Sequence, residues 1–137
     1  MFTVIVKGLI VKDKKALTLK RHENQAYGAG FWELVGGKIQ EGESLEEGLI
    51  REICEETGLR TTLTRLLYAT TNYSSTLGSV IILVYLCQPE SMAVSLSHEH
   101  MDYRWATLSQ LRELIAPGIQ EDLDRYGALD IDELKIP

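Results

Sequence analysis

The sequence contains few cysteines and few prolines, and it has no long apolar run. Its 137 residues include two cysteines, Cys54 and Cys87, which lack a CxxC spacing and which we expect to be reduced thiols. The longest unbroken apolar run, Val80–Cys87, is far too short to cross a bilayer as a helix. No charged segment precedes an apolar stretch near residue 1, so we expect no secretory signal. These features argue against a disulfide-rich secreted domain or a membrane protein and favour a cytoplasmic location.

Positive charge is also scarce, because 14 lysines and arginines stand against 20 acidic residues, a net charge of -6. A protein that binds duplex nucleic acid presents a basic face, so we expect no such partner. The segment Gly37–Leu59 holds seven glutamates against one lysine and one arginine, which is five of the six net negative charges. The remaining composition, 45% hydrophobic and 25% charged, is typical of a globular chain, and its length predicts one domain over residues 1–137.

Hydrophobic patterning and turn signals predict mostly strands with three helices. Ser44 with Glu47, and Thr107 with Gln110, are capping boxes that open two of the helices, and Gly58 is placed to end the first in a left-handed conformation. We expect Pro117-Gly118 to separate the second helix from the third. The predicted strands are 2–11, 16–20, 31–35, 60–72, 80–87 and 101–106, and the predicted helices are 44–57, 107–114 and 119–126. Residues 21–30 are predicted to form a loop and residues 73–78 a turn. This order lacks strict βαβ alternation and therefore predicts an α/β (α+β) fold, a mixed sheet with helices on both sides.

Three carboxylates of the first helix lie at the edge of its apolar side. At about 100° per residue, Glu52, Glu55 and Glu56 fall within one arc of roughly 100°. We expect Leu49, Ile50 and Ile53 to occupy the adjoining arc and to face the core. A solvated acidic face is the ordinary alternative. The position beside the apolar arc and the preceding Gly36-Gly37 turn instead favour a divalent cation, and oxygen ligands select Mg²⁺ or Mn²⁺ over Zn²⁺.

The spacing of this acidic segment resembles a known signature. From Gly37 the sequence runs through five residues to Glu43, then through seven residues to the run REICEETGL, which spans Arg51–Leu59. This pattern is similar at every fixed position to the Nudix box of the Nudix hydrolases. The approach to the box, Phe31–Ile39, resembles that of the MutT-type members, although Val35 stands where many members carry proline.

The resemblance implies a Nudix-type α/β/α sandwich with a mixed β-sheet, the box (residues 37–59) placing its helix on one face. It implies hydrolysis of the pyrophosphate bond of a nucleoside diphosphate linked to another group, with Mg²⁺ or Mn²⁺ as the cofactor. By the same resemblance Glu52, Glu55 and Glu56 bind the metal together with the carbonyl of Gly37. Two further residues, Arg51 and Glu43, would form a salt bridge that holds the helix and the loop in place.

Further candidates lie outside the box. The family often places a metal-binding or catalytic carboxylate in a loop near Glu99, and a phosphate-binding residue near Arg21. Tyr73 is a candidate to stack on a base, whereas we expect His98 and His100 to be exposed loop residues. The general base is open among Glu52, Glu55 and Glu99, of which Glu52 is favoured.

The substrate that best suits a small MutT-type chain is a nucleoside triphosphate, including an oxidised one. ADP-ribose, a dinucleotide polyphosphate, or nucleotide sensing without turnover are the alternatives that remain. No asparagine lies near 116–118 to suggest recognition of guanine, which weakens a specificity for oxidised guanine. The tail after Leu129 leaves a monomer and a homodimer both open.

Overall fold

The computed structural model describes residues 1–25 and 28–136, so two residues of the predicted loop 21–30 lie outside the described residues. Within these described residues, seven strands and three helices follow one another. They are β1 (Thr3–Lys12), β2 (Lys15–Arg21), β3 (Trp32–Glu33), β4 (Val35–Lys38), α1 (Leu45–Thr57), β5 (Thr61–Ser74), β6 (Gly78–Pro89), β7 (His100–Ala106), α2 (Leu108–Leu114) and α3 (Pro117–Arg125), with a short 3-10 helix at Asp132–Leu134. None of the helices in the described parts of the chain has the length and apolarity needed to cross a membrane.

The strands form a mixed sheet with the order β3-β2-β1-β6-β5. The pair β1–β6 is parallel, and the other pairs are antiparallel. Strand β1 pairs with β4 through residues 5–8 and with β2 through residues 11–12, while β7 pairs with β2. Gly36 and Gly37, predicted as a turn, instead belong to β4, because Val35–Lys38 pairs with β1. Arg21 at the end of β2 and Glu99 directly before β7 line the same cavity as these two glycines.

The apolar residues form two clusters on opposite faces of the sheet, as the alternation of β1 requires. On one face Val6 and Ile10 pack with Leu49 and Ile53 of α1. On the other face Leu9 belongs to the cluster that holds α2 and α3. This arrangement confirms the predicted mixed sheet with helices on both sides and α1 on one face. Ile50, predicted to face the core, is instead 43% exposed, because its position lies too far round the helix.

The helix signals of the sequence are present in the structure. The hydroxyl of Ser44 accepts a hydrogen bond from the amide of Glu47 at 3.1 Å, and the carboxylate of Glu47 accepts one from the amide of Ser44 at 3.3 Å. Gly58 ends α1 in the left-handed conformation, with φ of 73°. The capping box of Thr107 is also formed and opens α2.

Several boundaries differ from the sequence-based expectation. Pro117 begins α3 instead of lying ahead of it, because the first turn of a helix does not use the N–H that proline lacks. Strands β5 and β6 extend to Ser74 and from Gly78, so the predicted turn 73–78 shortens to three residues. Gly78 has φ of 77° and permits this tighter reversal.

Candidate active site

A cavity of about 310 Å³ opens between α1, Gly36 and Gly37 of β4, and the loop before β7. Four carboxylates and three basic side chains line it together with the two glycines, which gives it an acidic side and a basic side. The lining residues are Ile5, Lys7, Arg21, Glu33, Gly36, Gly37, Lys38, Glu52, Glu56 and Glu99. The cavity thus brings together two of the three box glutamates, Glu99 and Arg21.

Glu56 is the most deeply buried carboxylate of α1, with 4% of its surface exposed. Its Oε1 accepts a hydrogen bond from the amide of Gly36 at 2.9 Å. Burial raises the pKa of Glu56 to about 8, against the opposing attraction of Lys7 and the hydrogen bond from Gly36. At neutral pH this carboxyl therefore favours its protonated form until a further positive charge enters the cavity.

Glu52 lies directly against the backbone of Gly37. A Cβ added at Gly37 would meet the carboxylate carbon of Glu52 at 2.8 Å, so a side chain at this position would displace the acid. Burial raises the pKa of Glu52 above its usual value; the charges of Glu55 and Glu99 raise it further, while Arg51 opposes the shift. Gly36 has φ of 143°, and a Cβ there would collide with the carbonyl of Val6. Gly37 therefore permits the close approach of β4 to α1, and Gly36 permits that of β4 to β1.

The guanidinium of Arg51 joins the carboxylates of the box. Its Nε and Nη2 donate to the two oxygens of Glu43 at 3.0 and 2.7 Å, and its Nη1 donates to Glu52 at 3.0 Å and to Glu55 at 3.1 Å. A further bond from Nη2 reaches the carbonyl of Lys38 at 3.2 Å. The hydrogen bonds from Arg51 and from the amide of Gln40 lower the pKa of Glu43 to about 2. The salt bridge between Arg51 and Glu43 is thus present, and it ties α1 to the loop before it.

A second ionic network, centred on Glu33, was not foreseen from the sequence. Glu33 Oε1 accepts from the ammonium of Lys7 at 3.1 Å, and Oε2 accepts from Arg21 at 3.0 Å and lies 2.8 Å from Nε2 of His100. Burial would raise the pKa of Glu33, but the charge of Lys7, the hydrogen bond from His100 and the charge of Arg21 outweigh it and hold the value at about 2. Glu33 is therefore an ionised centre that fixes groups from three other strands.

Lys7 connects the Glu33 network to Gly36 of β4. Its ammonium donates to the carbonyls of Gly36 at 3.1 Å and of Leu34 at 3.4 Å, in addition to Glu33. Burial lowers the pKa of Lys7, but the charges of Glu33 and Glu56 outweigh this effect and raise it above its usual value. One signal could have found Lys7, since it is the only charged residue between Thr3 and Val11, and a charge within a buried strand needs a partner.

The two histidines of the Ser97–Met101 segment lie in different surroundings. His98 is exposed, as expected, but His100 is buried, so that expectation was wrong. The reason is that His100 begins β7 and pairs with Arg21 of β2, which places its ring beside Glu33. The residue before it, Glu99, lies in the loop and is partly exposed. Its carbonyl accepts from the amide of His22 at 2.9 Å, which holds this loop against the end of β2.

The remaining candidates are spread over several places. Arg21 is buried at the cavity, where Nη2 also donates to Gln25 at 2.9 Å. The side chain of Glu55 is 58% exposed, pairs with Arg51 and does not line the cavity. Tyr73, near the end of β5, is 79% exposed and is likewise absent from the lining. The roles predicted for Glu55 and Tyr73 stay predictions.

The donor set of the cavity fits a divalent cation. Carboxylates of Glu52, Glu56 and Glu99 face one space, and carboxylate oxygens are the ligands that Mg²⁺ and Mn²⁺ take in proteins. The ligand atoms of Glu56, Glu99 and His100 also lie within 4.8 Å of one another. The raised pKa of Glu56 reports repulsion and desolvation that a bound cation would offset.

Comparison with known proteins agrees with this geometry. The family model described as the NUDIX domain matches residues 1–126. A MutT-like protein of Streptomyces ambofaciens is 32% identical over 117 residues, covering 85% of this chain and 71% of that protein. The CTP pyrophosphohydrolase of Escherichia coli K12 is 30% identical over 126 residues, covering 91% of each. A crystal structure of a MutT protein from Methanosarcina mazei Go1 superposes with a TM-score of 0.84 and 30% identity, covering 94% of this chain and 95% of that one.

Proposed function

Since this chain belongs to the Nudix hydrolases, we propose that it hydrolyses a nucleoside triphosphate to the monophosphate and pyrophosphate with the help of Mg²⁺ or Mn²⁺. The observation that carries the proposal is the group of three carboxylates, Glu52, Glu56 and Glu99, lining one cavity beside Gly36 and Gly37 of β4. A polyphosphate would be repelled by these acids alone, so the substrate and the cation are proposed together.

The residues proposed to hold the cation are Glu52, Glu56 and Glu99 with the carbonyl of Gly37. Glu55 remains a predicted fourth metal ligand. It lies on the same helix, but its side chain is 58% exposed and does not line the cavity. When bound, a divalent cation neutralises the oxygens of the pyrophosphate and orients the phosphorus for attack by water. Phosphate binding and proton transfer are assigned to side chains of the protein.

The basic side of the cavity is proposed to bind the phosphates of the substrate. Arg21 and Lys7 surround Glu33, so this side carries one more positive charge than negative. The opposite side carries the glutamates of α1 and Glu99. A polyphosphate placed between the two sides would be attracted by Arg21 and Lys7 directly. A guanidinium also offers paired donors to phosphate oxygens.

Proton transfer requires a carboxylate near the attacking water. We favour Glu52 as the general base, with Glu99 and Glu55 as the alternatives. Glu52 is partly buried and lines the cavity, so its carboxylate lies close to the space proposed to hold the attacking water. Arg51 holds Glu52 at 3.0 Å and thereby restricts the rotamers of its carboxylate.

The relatives support a triphosphate as the substrate class. One relative is named for the hydrolysis of CTP, and the match covers nearly the whole of both chains. Other triphosphates, including oxidised ones, ADP-ribose and dinucleotide polyphosphates therefore belong in the same assay as competitors. Tight binding without turnover would instead indicate the sensing alternative.

The test is turnover by wild type, Glu56→Gln and Glu55→Gln on this panel with Mg²⁺. Glu56→Gln keeps the shape of the side chain but removes a charge from the centre of the cavity, so we expect turnover to fall at least about a hundredfold. Glu55→Gln tests the predicted fourth carboxylate on the same helix, and we expect a loss of about tenfold or less because the side chain of Glu55 is 58% exposed and does not line the cavity. Near-normal turnover by Glu56→Gln would contradict the proposed metal site.

A further inference from the structure

We propose that His100 supplies a nitrogen ligand to a divalent cation held by Glu56 and Glu99, which gives this cation a mixed set of nitrogen and oxygen ligands. The inference rests on the proposed function only in placing a cation in the same cavity. It adds a ligand that the box does not contain. It also predicts a preference among metals, since an imidazole ligand favours Mn²⁺ and later transition metals over Mg²⁺.

The first observation is the hydrogen bond that fixes the ring of His100. Nε2 lies 2.8 Å from Glu33 Oε2, and the side chain of His100 is fully buried. Glu33 is ionised between Lys7 and Arg21, so it accepts hydrogen bonds and has no proton to give. Nε2 must therefore be the donor, and in the neutral ring the lone pair is on Nδ1.

The second observation is that this lone pair has no partner. Nδ1 of His100 is buried and lacks a hydrogen bond within residues 1–25 and 28–136. A buried polar atom left unpaired is unfavourable, and each case in a folded protein calls for an explanation. A cation in contact with Nδ1 would supply the missing partner.

The third observation is the distance to the cavity carboxylates. One ring nitrogen of His100 and one carboxylate oxygen each of Glu56 and Glu99 lie within 4.8 Å of one another, and Glu56 and Glu99 themselves line the cavity. Ligands on opposite sides of one cation are separated by about 4 to 5 Å, so all three groups lie within reach of a single ion.

The pairing of His100 with Glu33 is the arrangement that metal-bound histidines adopt. A histidine that ligates through one nitrogen commonly donates the other N–H to a carboxylate, which fixes the tautomer and increases the basicity of the ligating atom. Glu33 would act in this role as a positioning residue. The network around Glu33 therefore serves the acidic side of the cavity as well as the basic side.

The opposing possibility is that Nδ1 accepts a proton shared with Glu56 or a hydrogen bond from water, without touching a metal. The two cases differ in whether a nitrogen nucleus is coupled to the unpaired electrons of bound Mn²⁺. Pulsed electron paramagnetic resonance of the Mn²⁺-loaded protein detects this coupling. Labelling histidine with ¹⁵N assigns it to imidazole.

The chain has three histidines, which allows a matched control. His22 and His98 are exposed, so the variant H22Q/H98Q leaves His100 as the sole imidazole. We expect the ¹⁵N-sensitive coupling in wild type and in H22Q/H98Q, and its loss in His100→Gln. We also expect the Kd for Mn²⁺ to rise at least about tenfold in His100→Gln, with a smaller rise for Mg²⁺, and to change less than twofold in H22Q/H98Q.

The control also covers the case in which His100→Gln fails to fold, because H22Q/H98Q keeps the native site. Mn²⁺ that binds to wild type and is lost in Glu56→Gln, yet shows no histidine coupling, would overturn the role of His100 and leave the proposed function standing. Absence of Mn²⁺ binding to wild type would overturn both.

Discussion

Two ionic networks flank the cavity, and their charges are arranged in opposite ways. In the first network, the guanidinium of Arg51 forms ion pairs with the carboxylates of Glu43, Glu52 and Glu55. In the second network, the carboxylate of Glu33 contacts the basic groups of Lys7, Arg21 and His100. The Arg51 network lies partly open to solvent at the edge of α1, whereas the Glu33 network is nearly closed.

The two networks also differ in sequence separation. The partners of Arg51 lie one, four and eight residues away, whereas those of Glu33 lie 12, 26 and 67 residues away. A network built within one helix and its preceding loop forms wherever that segment folds. The Glu33 network exists only once β1, β2, β3 and β7 have assembled. We therefore expect the Glu33 network to matter more for stability and the Arg51 network to act on the geometry of the site.

The largest stability effect is expected for Glu33→Gln. Removing the charge leaves Lys7 and Arg21 buried without their common anion, and breaking a buried pair in this way costs about 3–5 kcal/mol in free energy of unfolding. Urea unfolding measures it. The control is Asp124→Asn, which breaks an exposed pair with Arg112 and should cost about 1 kcal/mol or less. Equal losses in the two variants would remove the distinction between the buried and exposed networks.

A pH-dependent effect of intermediate size is expected from Glu56. Its folded pKa of about 8 lies above the ordinary value, so the folded state binds the proton more tightly and the metal-free protein loses stability as pH rises from about 5 to about 8. The loss should be roughly 2–4 kcal/mol. Glu33 has the opposite sign, because its pKa of about 2 adds stability that is lost as pH falls below about 4.5.

Unfolding by urea in EDTA at several pH values measures this dependence. Glu56→Gln cannot titrate at this position, so its stability should vary much less between pH 5 and pH 8 than that of wild type. A wild-type protein that gains stability between pH 5 and pH 8 would contradict a raised pKa of Glu56.

The smallest stability effect is expected for Arg51→Lys. Lysine keeps the charge but loses the two parallel bonds to Glu43, so we expect the free energy of unfolding to fall by about 1 kcal/mol or less. Activity should fall more clearly, by roughly three- to tenfold, because Glu52 loses its fixed partner. The matched control is Arg65→Lys, at the exposed pair with Glu133, which should leave kcat/KM unchanged. The same kcat/KM in both variants would show that Arg51 does not position the site.

What could be predicted from the sequence follows the same division. The capping boxes, the left-handed Gly58 and the Arg51–Glu43 pair depend on residues close in the chain, and the structure has all of them. Glu33 and His100 come together through strand pairing, above all the pairing of β7 with β2. No spacing pattern along the chain predicts this pairing. Lys7 gave a partial signal as a lone charge in an apolar strand. Ile50 was wrongly predicted to face the core. Its position lies too far round the helix, and a helical projection does not show how far the neighbouring sheet extends.

The most direct test of the proposed pyrophosphohydrolase activity is to identify the products formed from a nucleoside triphosphate, beginning with CTP, in the presence of Mg²⁺. Phosphorus NMR distinguishes pyrophosphate from orthophosphate in the same sample. We expect one pyrophosphate and one nucleoside monophosphate per turnover. Release of orthophosphate with a nucleoside diphosphate would contradict it, as would the cleavage of ADP-ribose by a protein that leaves every triphosphate intact.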